Sequence, residues 1–113
     1  MSAIPEHCAS EPVALDAEAI RAMAAEIDPN WDVVGGERIT RRLAVRDFQA
    51  GLDLVVAIGA VAEEENHHPD LTLSAYRNVT IAMSTHDVDG LSGNDFSLAR
   101  RIDALIDAVP KGD

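Results

Sequence analysis

The sequence predicts an α+β fold in the order helix, two strands, helix, two strands, helix. Three observations support this reading. Apolar residues recur at helical spacing in three separate stretches. Between those stretches lie paired segments of alternating apolar and polar residues, each pair joined by turn-forming residues. The chain has 113 residues, with no repeat and no linker that would divide it, so one small domain accounts for it.

The elements follow in order. Residues 1–14 contain Pro5 and Pro12 among scattered polar groups and are expected to form a flexible lead-in to a domain spanning 15–110. Asp16 caps a first helix in which Ile20, Met23, Ala24 and Ile27 share a face, and Asp28-Pro29 ends it. A short apolar strand over 31–34 meets a Gly35-Gly36 turn. The next strand then places Ile39, Leu43 and Val45 on one face, with Arg41 as an exception on that face.

Asp47 caps the second helix, where Phe48, Leu52, Val55, Val56, Gly59 and Ala62 form a stripe. Ala57, Ile58, Ala60 and Val61 make its later turns apolar nearly all round, which suits a central core helix, a subunit interface or both. Pro69 closes that segment. Leu71 and Leu73 alternate with Thr72 and Ser74, and Val79, Ile81 and Met83 alternate with Thr80, Ala82 and Ser84, giving two more strands. A loop at 87–91 leads to Ser92-x-x-Asp95, a capping box with Asp in the usual Glu or Gln place. Phe96, Ala99, Ile102, Leu105, Ile106 and Val109 give the last helix its buried face, and Pro110-Lys111-Gly112 ends it.

Composition narrows the function. Hydrophobic residues make up 47% of the chain and charged residues 26%, a globular balance. The net charge of −11 argues against a nucleic-acid partner, because phosphate contacts need Lys and Arg. Cys8 is the single cysteine, so no intrachain disulfide is available. No apolar run has transmembrane length, and the first residues lack the basic start and apolar stretch of a secretory signal, so no membrane partner and a cytoplasmic setting are expected.

Three of the four histidines fall in Glu63-Glu64-Glu65-Asn66-His67-His68-Pro69 and Ser84-Thr85-His86. Imidazole titrates near neutral pH and can donate and accept protons within one turnover. Glu63 lies four residues before His67 and shares its face if the helix continues that far. The apolar stripe then runs into a polar cluster at the helix end, as the floor of a pocket would. A helix-terminal feature or a solvated acidic run would use the same residues. Metal binding is the rival chemistry. Adjacent His67 and His68 project about 100° apart on a helix, however, and the His-x-x-x-His spacing is absent. Nothing supports a nucleophile, since Cys8 lies in the lead-in and no Gly-x-Ser-x-Gly element is present.

Taken together, Glu63, His67, His68, Pro69, Tyr76, Val79, Ile81, Thr85 and His86 resemble the signature of the pterin-4a-carbinolamine dehydratases. The resemblance extends upstream through Trp31, Asp47 and Phe48 and downstream through Gly90-Leu91-Ser92 and Asp95. It implies a four-stranded antiparallel sheet with three helices packed on one face. It also implies dehydration of a 4a-hydroxytetrahydropterin to quinonoid dihydropterin without metal or organic cofactor. The chain would be a homodimer or homotetramer, linked to an aromatic amino acid hydroxylase. His67 and His86 would form the general acid/base pair, His68 would orient the pterin, and Glu63 would fix an imidazole tautomer. Asn66, Ser84, Thr85 and Asp87 match positions that line the substrate site in the family, although many relatives have Asp where Asn66 stands. Trp31 would be either a pocket wall or a buried structural residue. Non-catalytic relatives that act as assembly factors or coactivators offer the alternative function, and the intact histidines weigh against the first of these.

Two geometric expectations follow. The interval from Pro69 to Tyr76 is one residue longer than the family spacing, and a bulge within 71–75 would preserve the register. His86 alternates away from Val79, Ile81 and Met83, so the strand must end near Ser84 for His86 to turn toward His67.

Overall fold

Polar side chains start each helix as the sequence predicts. In the computed structural model, which describes residues 2–112, the Asp16 carboxylate accepts from the backbone N–H of Ala19, at the start of α1 (Ala17–Ala24). Asp47 accepts from Ala50 N–H at the start of α2 (Phe48–Glu65). Ser92 and Asp95 form a complete capping box on α3 (Gly93–Ala108). Each cap satisfies an N–H that the first helical turn leaves without a partner. α1 stops at Ala24, short of Asp28-Pro29, and Ile27 is buried beyond its end.

Four strands form one antiparallel sheet in the order β1-β2-β4-β3, with β1 at Asp32–Val34, β2 at Arg38–Ala44, β3 at Asp70–Ser74 and β4 at Asn78–Met83. Gly35 and Gly36 both take positive φ in the first turn, a conformation open to glycine. Ile39 pairs with Met83, Arg41 with Ile81 and Leu43 with Val79, so one face of the sheet collects the apolar side chains. Those residues join Phe96, Leu98, Ala99, Ile102 and Ile106 of α3 and Leu54 and Ile58 of α2 in one core. The three helices cover that face. Arg41 is buried within it, and its guanidinium meets Asp103 at 2.6 Å and Asp28 at 3.5 Å. The exception in the alternation is thus a paired charge reaching from β2 to α3.

Two expectations are corrected. The expected stripe of α2 is split: Phe48, Leu52 and Val56 are exposed, Val55 and Gly59 are half-buried, and Ala62 is buried together with Ala50, Gly51, Leu54 and Ile58. Small residues face the sheet because β3 comes close. A Cβ on Gly51 would lie 2.7 Å from Leu73 Cδ1. The expected bulge is also absent. Asp70 to Ser74 pair with Ala82 to Asn78 in an unbroken ladder, and the chain reverses through Ala75 and Tyr76, both at positive φ. The extra residue is taken up in the turn, where a length change leaves the register untouched. Because alanine is strained in that conformation, Ala75→Gly is expected to raise stability by about 0.5–1 kcal/mol in urea denaturation.

The segment before α1, expected as a flexible lead-in, makes defined contacts with the domain. Ile4 is buried in the core, and residues 8 and 9 hydrogen-bond to α2 and α3.

Candidate active site

The end of α2 sets the position of His67. Asn66 adopts the left-handed conformation at φ 51°, and the His67 N–H returns to the Ala62 carbonyl. Asparagine is among the few non-glycine residues that tolerate this turn. Its effect is to lift His67 off the helical face of Glu63. The expected Glu63–His67 pair is therefore replaced: Glu63 lies 3.4 Å from His68 Nε2, with both side chains exposed.

His67 instead reaches Asp95. Its Nε2 lies 2.7 Å from Asp95 Oδ1, with His67 11% exposed and Asp95 fully buried. Asp95 Oδ2 accepts the Thr85 hydroxyl at 2.7 Å and the Ser92 backbone N–H at 3.0 Å. A carboxylate only accepts, so the imidazole presents N–H at Nε2, which leaves Nδ1 with the lone pair in the neutral ring. The Ser92 hydroxyl in turn lies 2.7 Å from Thr85 Oγ1, whose own proton is committed to Asp95. The capping box that starts α3 therefore also fixes the catalytic candidate. The sequence flagged Asp95 as a cap, and its second role was missed because the two residues are far apart in the chain.

β4 ends at Met83, close to the expected point. Thr85 and Gly90 then exchange backbone hydrogen bonds, closing a loop that contains a 3-10 turn over His86–Val88. A cavity of about 430 Å³ is lined by Asn66, His67, His68, Ser84, Thr85, His86 and Asp87. Seven of the nine expected site residues thus meet at one cavity. The other two do not line it. Glu63 sits on the outer rim of α2. Trp31 is buried elsewhere, with its indole N–H donating to Asp103 Oδ1 at 2.7 Å, so of its two expected roles the structural one fits its position.

The lead-in supplies the rest of the lining: Cys8, Ala9, Ser10 and Pro12, together with Glu65 and Asn94. The Cys8 backbone N–H donates to Glu65 Oε1 at 2.8 Å, and His7 Nδ1 lies 3.1 Å from Oε2. The Cys8 N–H holds the Glu65 carboxyl below its usual value of 4.5, against the effect of burial and with help from His7. A depressed carboxylate stabilises the fold above its unfolded value and loses that contribution as pH falls through the folded one. Stability is expected to drop from pH 4.5 downward. Glu26 and Asp47 shift in the same direction, so the check is a comparison of urea midpoints: Glu65→Gln should show a shallower acid loss than the parent. Burial, then the nearby Glu65 charge, pushes the Cys8 thiol up to about 11, which keeps it protonated and poorly nucleophilic. Among the described residues no three His, Cys, Asp or Glu side chains are grouped to hold a metal ion, and no helix is long and apolar enough to cross a membrane.

Comparison with known proteins gives a consistent result. A family model described as pterin 4 alpha carbinolamine dehydratase matches residues 13–105. A Rubrobacter xylanophilus protein, provisionally named as a pterin-4-alpha-carbinolamine dehydratase, is 36% identical over 91 residues, covering 80% of this chain and 83% of its own. The crystal structure of a transcriptional coactivator/pterin dehydratase from Brucella melitensis has a TM-score of 0.76 at 26% identity, across 82% of this chain and 98% of that one. A pterin dehydratase-like protein identified as a RuBisCO assembly factor in the alpha-carboxysome shares the fold, with a TM-score of 0.55 at 21% identity over 66% of this chain and 84% of that one.

Proposed function

The chain belongs to the pterin 4 alpha carbinolamine dehydratase family, and on that premise we propose that it removes water from a 4a-hydroxytetrahydropterin to give quinonoid dihydropterin. The observation that carries the reading is the 2.7 Å contact of His67 with buried Asp95, inside a cavity that His68 and His86 also line.

The reaction is an elimination across C4a and N5. The N5–H proton leaves to a base, the C4a–O bond breaks as the hydroxyl gains a proton, and a C4a=N5 double bond forms. His67 takes the N5 proton through Nδ1, and Asp95 stabilises the imidazolium that results. His86 protonates the departing hydroxyl. His68, paired with Glu63 at the rim, binds and orients the ring, so Glu63 acts through His68 rather than His67. Ser84, Asp87 and Asn66 offer polar groups to the pterin edge. Thr85 is committed to Asp95 and supports the site from beneath. No cofactor is required by this chemistry. The setting is cytoplasmic, where an aromatic amino acid hydroxylase supplies the substrate.

The test is a stopped-flow assay on synthetic 4a-hydroxytetrahydropterin. Water loss should be faster with the protein than in buffer alone, and equal rates would remove the reading.

The reading extends to assembly. Phe48, Leu52 and Val56 on the outer face of α2 are 51%, 38% and 71% exposed. An apolar helix face left open in a small domain suits self-association into a dimer or tetramer. Val56→Glu is expected to shift the protein to monomer in sedimentation velocity. A parent chain that is itself monomeric would count against the interface.

A further inference from the structure

We propose that residues 7–12 form a substrate-selecting wall of the cavity, one that favours pterins with a short substituent at C6. The inference rests on the dehydratase reading and adds to it the part of the substrate that is selected.

The segment is seated at several points. Ile4 anchors it in the core, and Pro5 crosses the start of α3 so closely that a Cβ on Gly93 would lie 3.1 Å from Pro5 Cγ. Asn94 clasps Ala9 from both sides: its Oδ1 accepts the Ala9 N–H at 2.7 Å and its Nδ2 donates to the Ala9 carbonyl at 2.9 Å. Glu65 holds the Cys8 N–H and His7. Cys8, Ala9, Ser10 and Pro12 then face the cavity. All of them precede residue 13, where the family match begins. The histidines are positioned by α2, β4 and α3 without this segment, so the wall can shape selectivity while the shared elements hold the chemistry.

The substrate determines which part meets the wall. C4a, N5 and C6 are consecutive ring atoms. In the proposed binding mode the C6 substituent, one bond beyond N5 at His67, lies toward the Glu65–Asn66 end of α2, which lines the cavity where the segment is clasped. A methyl or short hydroxyalkyl group fits inside it. An aminobenzoyl-glutamate arm has to displace it and break its backbone hydrogen bonds. Loss of the two Ala9–Asn94 hydrogen bonds corresponds to roughly tenfold discrimination.

The experiment compares kcat/KM for the 6-methyl and the aminobenzoyl-glutamate forms of 4a-hydroxytetrahydropterin. The wild-type chain should prefer the short form by about tenfold. Ala9→Pro removes the N–H that Asn94 accepts, and it should reduce that preference mainly by lowering KM for the long form. An unmoved ratio overturns the wall. So does a ratio that moves with Arg38→Ala and not with Ala9→Pro, because Arg38 lines a neighbouring hollow that shares Ser84, Thr85 and His86 with the cavity. A second measurement uses the unaltered chain and stands even if Ala9→Pro fails to fold. Alkylation of Cys8 should slow further when oxidised 6-methylpterin is bound, and equal rates with and without it overturn the proposal. A wild-type chain that dehydrates neither form removes the dehydratase reading and the wall with it. Dehydration of both with no selectivity removes the wall alone.

Discussion

Asp95→Asn is expected to lower kcat for dehydration by roughly a hundredfold, within the span of general acid/base contributions, while KM changes far less. Asp95 receives three hydrogen bonds, one from His67 on Oδ1 and two from Thr85 and Ser92 on Oδ2. Asparagine has one oxygen and one amide nitrogen in their place. Two donors converge on the Oδ2 position, so the amide oxygen settles there and the NH₂ faces His67. His67 Nε2 must then accept, and its proton moves to Nδ1. On the proposed mechanism, Nδ1 then offers a donor where a lone pair is needed. The same change puts both cap donors on a neutral oxygen and leaves one amide hydrogen without an acceptor, at a cost of about 1–3 kcal/mol. Two readouts separate these effects. Ser92→Ala should lower stability comparably with a much smaller loss of kcat, and the ¹⁵N shifts of His67 should exchange their protonated and unprotonated signatures only in Asp95→Asn. A wild-type kcat in Asp95→Asn would end the tautomer argument.

Local signals in the sequence read well because their physics is local. Asp16, Asp47 and the Ser92–Asp95 box cap their helices as expected. The alternation of Val79, Ile81 and Met83 gives the buried face of β4. The end of β4 at Met83 frees His86 from that alternation.

The remaining features depend on non-local geometry. The later turns of α2 are apolar nearly all round, so its periodicity fixes no unique phase. The closeness of β3 selected the face bearing Ala50, Gly51 and Ala62 and turned Phe48, Leu52 and Val56 outward. The partner of His67 depended on a single left-handed residue. With Asn66 helical, Glu63 would have stood beside His67, whereas with Asn66 at φ 51° the ring reaches a residue 28 positions later. Trp31 and Arg41 look unrelated in sequence, and both converge on Asp103. The lead-in carries no periodicity at all. It is held by backbone N–H groups, which every sequence possesses, and its seats on Glu65 and Asn94 lie far along the chain.

His67→Ala and His86→Ala should each slow dehydration by a factor of roughly ten to a thousand, the range that positioned proton transfer supplies. Their consequences for stability should differ, and that difference makes the pair informative. His67 is nearly buried, and its loss leaves Asp95 Oδ1 beside an emptied space that water must fill, at about 1–3 kcal/mol. His86 is exposed on the 3-10 turn, so its loss should leave the urea midpoint almost unchanged. A fall in kcat for His86→Ala therefore cannot be ascribed to unfolding. If both imidazoles serve one elimination, as proposed, the double variant should be little slower than the worse single one, not slower by the product of the two factors. On the proposed binding role of His68, His68→Ala should raise KM more than it lowers kcat. Wild-type rates in both His67→Ala and His86→Ala would refute the acid/base assignment, and strict multiplication of their effects would place the two histidines in separate steps.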